Sequence, residues 1–132
     1  MSIRKLVLVV DDDPGILRGL KRLLREHGYD SLLFQSAKAF QAQRDFEQAV
    51  CVVLDIQLKG ESGIDLRCRL TEAGMSLPVI YITGNDSDAS RKAATKSGCI
   101  AYLTKPFTAK SLIEPIDRLT ASSRRQHEHS AS

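Results

Sequence analysis

With 132 residues and 42% apolar content, the chain has room for one ordinary domain with a real core and not for two. No apolar stretch approaches the roughly 20 residues a membrane span needs, and the N-terminus lacks the apolar run and small-residue cleavage site of a secretory signal, so no membrane attachment and a cytoplasmic location are expected. A net charge of +3 spread over helix faces, with 5% aromatic residues and no Trp, argues against direct nucleic-acid binding.

Runs rich in Val, Ile and Leu alternate with segments of helical period, the pattern of βα units on a parallel sheet, and five such units fit before about Thr120. Leu6 to Val10 reads as the first strand. Asp13 is placed to cap the helix that follows, Pro14 suits its first position, Ile16, Leu17, Leu20, Leu23 and Leu24 share one face, and Gly28 stops it. Asp30 to Gln35 reads as the second strand, and Ser36 caps a helix to about Phe46. Val50 to Leu54 is the third strand; Gln57 to Gly63 is a loop with two glycines, and a helix from about Ile64 to Ala73 is ended by Gly74. Leu77 to Ile82 is the fourth strand. The next helix, about Ser87 to Ser97, offers only Ala89, Ala93 and Ala94 as apolar contacts and is expected to be the least firmly packed; its Arg91, Lys92 and Lys96 read as a solvated face. Ile100 to Leu103 is the fifth strand. Thr108 caps a helix from about Ala109 to Leu119, in which Pro115 predicts either a kink or a shifted start. Residues 1–121 are thus expected to form the domain and residues 122–132 a polar, disordered tail. Cys51, Cys68 and Cys99 are odd in number and lack metal-ligand spacing, so buried free thiols are expected.

Four of the apolar runs end, on their C-terminal side, in polar residues that a phosphoryl-transfer site needs: Asp11, Asp12 and Asp13; Asp55; Thr83; Thr104 and Lys105. Parallel strands of an open α/β sheet present their carboxyl ends along one edge, and ligands bind in the crevice there. Clustered carboxylates favour a divalent cation with a taste for hard oxygen ligands, such as Mg²⁺. Asp11, Asp12 and Asp55 are the candidates, Asp13 being set aside as the helix cap. Taken singly, each acid reads as well as a solvated loop residue or a cap. Lys105 supplies a fixed positive charge and Thr83 a hydroxyl, which a phosphoryl group's oxygens require, and a carboxylate can itself attack phosphorus. No nucleotide-cradling Gly-x-x-x-x-Gly-Lys loop is present, and His27, His127 and His129 offer no catalytic triad.

Val9-Val10-Asp11-Asp12-Asp13-Pro14, Val53-Leu54-Asp55, Tyr81-Ile82-Thr83-Gly84 and Tyr102-Leu103-Thr104-Lys105-Pro106-Phe107 resemble, in order and spacing over about residues 4 to 120, the signature segments of the response-regulator receiver domain of two-component signalling. The resemblance implies a doubly wound, flavodoxin-like α/β fold with a five-stranded parallel sheet of order 2-1-3-4-5 and helices on both faces. It implies that Asp55 accepts a phosphoryl group from the phosphohistidine of a histidine kinase or histidine phosphotransfer protein. Asp12 and Asp55 would hold Mg²⁺ with the backbone carbonyl of Gln57, Asp11 acting directly or through water. Lys105 would pair with the phosphoryl oxygens, and Thr83 would shift to hydrogen-bond one of them. Tyr102 resembles the switch aromatic that turns inward when Thr83 moves; without the resemblance it reads as a half-buried strand residue with its hydroxyl in water. Gln57 and Asn85 occupy the variable positions that tune hydrolysis of the aspartyl phosphate, and Lys105-Pro106 matches a cis peptide.

The implied function is a stand-alone phosphorylated signalling module or phosphorelay intermediate. Its chemistry is limited to self-phosphorylation and autodephosphorylation, so it is not an enzyme on another substrate. Its message leaves through Ser87 to Ser97, the strand with Tyr102 and the start of the last helix, a face that also offers a route to a dimer. Leu58-Lys59 departs from the Met-Pro common in the family, so that loop is expected to be less stiff. Competing readings are a truncated DNA-binding response regulator, a haloacid-dehalogenase-like phosphatase, which wants another acid where Gln57 stands, and a pseudo-receiver that binds partners without phosphate.

Overall fold

In the computed structural model, residues 5–42 and 48–131 are described, with side chains through Ala121. In chain order the elements are β1 (Lys5–Val10), α1 (Pro14–Glu26), β2 (Tyr29–Phe34), α2 (Ala37–Ala42), β3 (Ala49–Asp55), β4 (Gln57–Leu58), β5 (Glu61–Ser62), α3 (Gly63–Glu72), β6 (Val79–Thr83), α4 (Asp88–Ser97), β7 (Ala101–Thr104) and α5 (Ala109–Ala131). Every pairing in the main sheet is parallel, in the order β2-β1-β3-β6-β7. Numbered along the chain, those five strands stand 2-1-3-4-5, the doubly wound α/β fold read from the sequence.

Successive strand side chains point to opposite faces, and a parallel sheet covered by helices buries both. Val7, Val9, Cys51, Val53, Ile80 and Ile82 pack on one face with Leu17, Leu20 and Leu24 of α1 and Leu112, Ile113 and Ile116 of α5. Leu8, Val10, Val52, Leu54, Val79 and Tyr81 pack on the other with Phe40 of α2, Leu66 of α3 and Ala94 of α4. This two-sided burial makes the strands read as unbroken apolar runs. It also fixes their register, since a one-residue slip would exchange the two faces.

The caps follow the sequence closely. Asp13 Oδ1 accepts the Gly15 N–H at 2.8 Å with Pro14 at the first helical position of α1. Ser36 Oγ accepts from Ala39 N–H at 3.0 Å, and Thr108 Oγ1 from Ser111 N–H at 3.1 Å. The remainder of the helix expected to reach Phe46 lies outside the described residues beyond Ala42.

Several elements differ from expectation. The loop after β3 contains a two-residue antiparallel hairpin, β4 with β5, closed at Gly60, whose φ of +88° suits glycine. Of the two outcomes expected of Pro115, a shifted start is excluded, since α5 begins at Ala109 as read; the helix runs through Pro115, which is buried. That helix continues past Leu119 to Ala131, across the segment read as a tail. Arg, Gln and Glu extend a nucleated helix without any core-forming pattern, which is why an apolar period cannot show its end. Of the three thiols, Cys51 is buried, Cys99 is half-buried and Cys68 is exposed. Cys68 lies off the stripe of α3 that buries Leu66, so the expectation of three buried thiols is corrected. On α4, Ala94 is buried while Ala89 and Ala93 face solvent, so this helix is held even more lightly than its three alanines promise. No helix among the described residues is long and apolar enough to cross a membrane.

The fully buried Leu112 joins α5 to the sheet. Leu112→Ala is expected to lower unfolding free energy by about 2–5 kcal/mol in urea titrations, through lost transfer energy and the cavity left behind. Ala89→Ser on the exposed face of α4 is expected to change it by less than about 0.5 kcal/mol.

Candidate functional site

Strand register brings the polar strand ends together. Val10 pairs with Leu54 and Asp55 with Ile82, so Asp11 and Asp55 leave the sheet side by side; Thr83 pairs with Thr104, and Lys105 follows directly. Asp11 and Thr83 are fully buried, Asp55 is 3% exposed and Asp12 is half-buried. Carboxylate oxygens of Asp11, Asp12 and Asp55 lie within 4.8 Å of one another.

Each buried group has a partner. Lys105 Nζ donates to Asp11 Oδ2 at 2.8 Å and to Asp55 Oδ2 at 3.3 Å. The second oxygen of Asp11 accepts the Asp13 N–H at 2.9 Å, and the second oxygen of Asp55 accepts the Gln57 N–H at 3.0 Å. Thr83 Oγ1 accepts the Asn85 N–H at 3.1 Å. Both carboxylates are therefore held by both oxygens, on one side by backbone and on the other by one shared ammonium.

The electrostatics follow from burial and mutual charge. Burial raises the Asp55 pKa above its ordinary value, the Gln57 N–H opposes this, repulsion from Asp11 adds to it and Lys105 opposes it again; the net direction is up. Burial works against the Lys105 ammonium, but the hydrogen bond to Asp11 and the two carboxylate charges outweigh it, so its pKa stands above the usual lysine value. A cluster whose acids repel one another, with oxygen donors inside one coordination sphere, fits a hard divalent cation.

Of the other residues singled out in the sequence, Gln57 and Asn85 are exposed beside the cluster. The Lys105–Pro106 peptide is cis. Tyr102 is half-buried, and its hydroxyl is not simply in water: it donates to Asp86 Oδ1 at 3.0 Å. Arg91, read as part of a solvated face, holds that carboxylate with two hydrogen bonds and lies over the Tyr102 ring. No sequence period joins Asp86 to Tyr102, because the contact crosses from one βα unit to the next.

Gly63 was visible in the sequence as a loop glycine without a role. A Cβ there would lie 2.2 Å from the backbone oxygen of Asp55 and 3.2 Å from Ile56 Cα, while the Gly63 N–H donates to the Ile56 carbonyl at 2.8 Å. The start of α3 therefore rests on the backbone that carries Asp55. Glycine is required by this approach rather than by a turn.

A family model described as the response regulator receiver domain matches residues 7–117. The chain belongs to this family of two-component signalling domains. It is 32% identical over 127 residues to nodulation protein W of Bradyrhizobium diazoefficiens, covering 96% of this chain and 56% of that one. To the response regulator protein TmoT of Ectopseudomonas mendocina it is 34% identical over 110 residues, covering 83% of this chain and 50% of the relative. The receiver thus spans about half the length of these curated relatives. The crystal structure of a CheY-like response regulator receiver domain protein from Methanospirillum hungatei superposes with a TM-score of 0.82 at 27% identity, over 93% of this chain and 99% of that one.

Two outcomes check this account of the site. An acid whose pKa is raised on folding favours the fold while protonated and costs stability once ionised, from about pH 4 upward. Without divalent cation, Asp55→Asn is therefore expected to raise the urea midpoint at pH 7, with the gain shrinking toward pH 4. Gly63→Ala is expected to cost about 1–3 kcal/mol in the same titration, because backbone must move to admit the methyl.

Proposed function

We propose that this receiver takes a phosphoryl group onto Asp55 from the phosphohistidine of a histidine kinase or histidine phosphotransfer protein in the cytoplasm, and passes the signal through α4, β7 and the start of α5. The observation that carries the reading is Lys105 Nζ standing against both Asp11 and Asp55 within a cluster of three carboxylates, with Thr83 at the end of the strand next to Asp55. Asp11, Asp12 and Asp55, with the backbone carbonyl of Gln57, would hold Mg²⁺. When bound, that cation neutralises charge on the carboxylates and on the incoming phosphoryl oxygens.

The protein's own groups do the rest. The Gln57 N–H and Lys105 fix the Asp55 carboxylate before reaction, so that little orientation is lost on attack. An Asp55 oxygen forms the new P–O bond as the P–N bond to the donor imidazole breaks, and the imidazole leaves with the bonding electrons. Lys105 and the Thr83 hydroxyl neutralise the equatorial oxygens. Thr83 then moves toward the phosphoryl group and Tyr102 turns inward. Gln57 and Asn85, exposed at the rim, govern access of the water that hydrolyses the acyl phosphate. The protein reacts at its own aspartate and turns over no separate substrate.

The greater length of the curated relatives supports a second reading, in which a receiver of this kind drives an output segment in a longer chain, a DNA-binding one among them. In either case the α4-β7-α5 face is the exit for the signal and a route to dimerisation. The phosphatase alternative finds Gln57, an exposed amide, where it needs an acid.

Incubation with phosphoramidate or acetyl phosphate and Mg²⁺ tests the reading by intact mass. Wild type is expected to gain one phosphoryl group, Asp55→Asn none, and wild type with EDTA none. Equal gain by the variant would overturn the assignment.

A further inference from the structure

We infer that Asp86, Arg91 and Tyr102 form a latch that holds α4 and the Tyr102 side chain in the resting arrangement and so sets how often this receiver visits its active state. The inference rests on the receiver reading of Asp55 and Thr83 given above. The three side chains close a triangle. Tyr102 Oη donates to Asp86 Oδ1 at 3.0 Å, Arg91 Nε donates to the same oxygen at 2.9 Å, and Arg91 Nη2 donates to Asp86 Oδ2 at 2.8 Å. The Arg91 guanidinium lies 5.1 Å from the Tyr102 ring centroid. They come from the loop after β6, from α4 and from β7, so the triangle ties together three segments of the proposed output face.

The position of the latch gives it leverage. Helix α4 buries Ala94, and its C-terminal end is tied down by the buried Tyr81. Because the Ser97 hydroxyl donates to the Ala94 carbonyl at 2.8 Å, Tyr81 donates to Ser97 at 2.8 Å. Nearer its N-terminal end, among the described residues, Arg91 provides the side-chain tie to β7, through Asp86 and the Tyr102 ring. Asp86 also stands close in sequence to the reacting centre. Thr83 Oγ1 accepts the Asn85 N–H at 3.1 Å, and Asn85 precedes Asp86. A Thr83 hydroxyl drawn toward a phosphoryl group therefore pulls on the loop that carries the Asp86 carboxylate. Tyr102 cannot leave its outward position without giving up that carboxylate and the guanidinium together.

The latch biases rather than locks. Arg91 and Asp86 side chains are 56% and 36% exposed, and exposed ion pairs shift equilibria modestly even with two-point geometry. The Arg91 guanidinium keeps the Asp86 carboxyl below the usual carboxylate range, so the contact persists through neutral pH. A ligand or modification can then redistribute the two states by its differential contacts with them.

The test combines 3-fluorotyrosine labelling with phosphorylation kinetics in Asp86→Asn, Arg91→Gln and the double variant. The chain has three tyrosines, and Tyr102→Phe assigns the relevant fluorine resonance. Without any donor, each variant is expected to move the Tyr102 resonance toward the position it takes in wild type with beryllofluoride and Mg²⁺. Initial phosphorylation by phosphoramidate is expected to rise about twofold to fivefold, with the double variant no faster than the faster single one. Unmoved resonances with wild-type rates would overturn the latch, as would effects of the two substitutions that multiply independently. A wild type that gains no phosphoryl group would instead defeat the receiver reading beneath it.

Discussion

The site turns on one ammonium shared by two buried carboxylates. Asp11 and Asp55 end neighbouring strands, and their charges would repel where both side chains are buried. Lys105, arriving from the far side of Thr83 after the last strand, stands between them. A buried pair of this kind contributes little net stability, and breaking it would leave an uncompensated charge. Its consequence here is positional: the carboxylates are oriented, and three of them face a single ammonium, an arrangement that suits a divalent cation.

The fold was legible because its signals are local and repeated. Apolar runs buried on both faces, caps at Asp13, Ser36 and Thr108, and glycines with positive φ at Gly28 and Gly74 each mark an element from within a few residues. The polar strand ends were legible for the same reason, and topology converts their scatter along the chain into one cluster. What escaped was set by contacts across units. The β4–β5 hairpin has two residues per strand and no period to detect. The role of Gly63 depends on a backbone approach to Asp55, and the partner of Tyr102 depends on where the next βα unit places Asp86. The far end of α5 escaped for a different reason, since polar residues extend a helix without announcing it.

Lightness of packing and position in the fold meet in α4. It lies over the sheet beside the strand that carries Thr83, buries one small side chain and is fastened through polar contacts at both ends. Such an element can move without opening the core, because the apolar layers built on α1, α5, α2 and α3 stay intact. Under the proposed function, a change of charge at the sheet edge would reach the surface through these few hydrogen bonds.

The central claim is that Asp55 carries the phosphoryl group as an acyl phosphate. Borohydride reduces an acyl phosphate of aspartate to homoserine, so peptide sequencing of the protein after phosphorylation and reduction reads the modified position directly. The account predicts homoserine at position 55 and at no other aspartate. Homoserine at Asp11 or Asp12, or a phosphate that survives reduction on a serine, threonine or histidine, would contradict it.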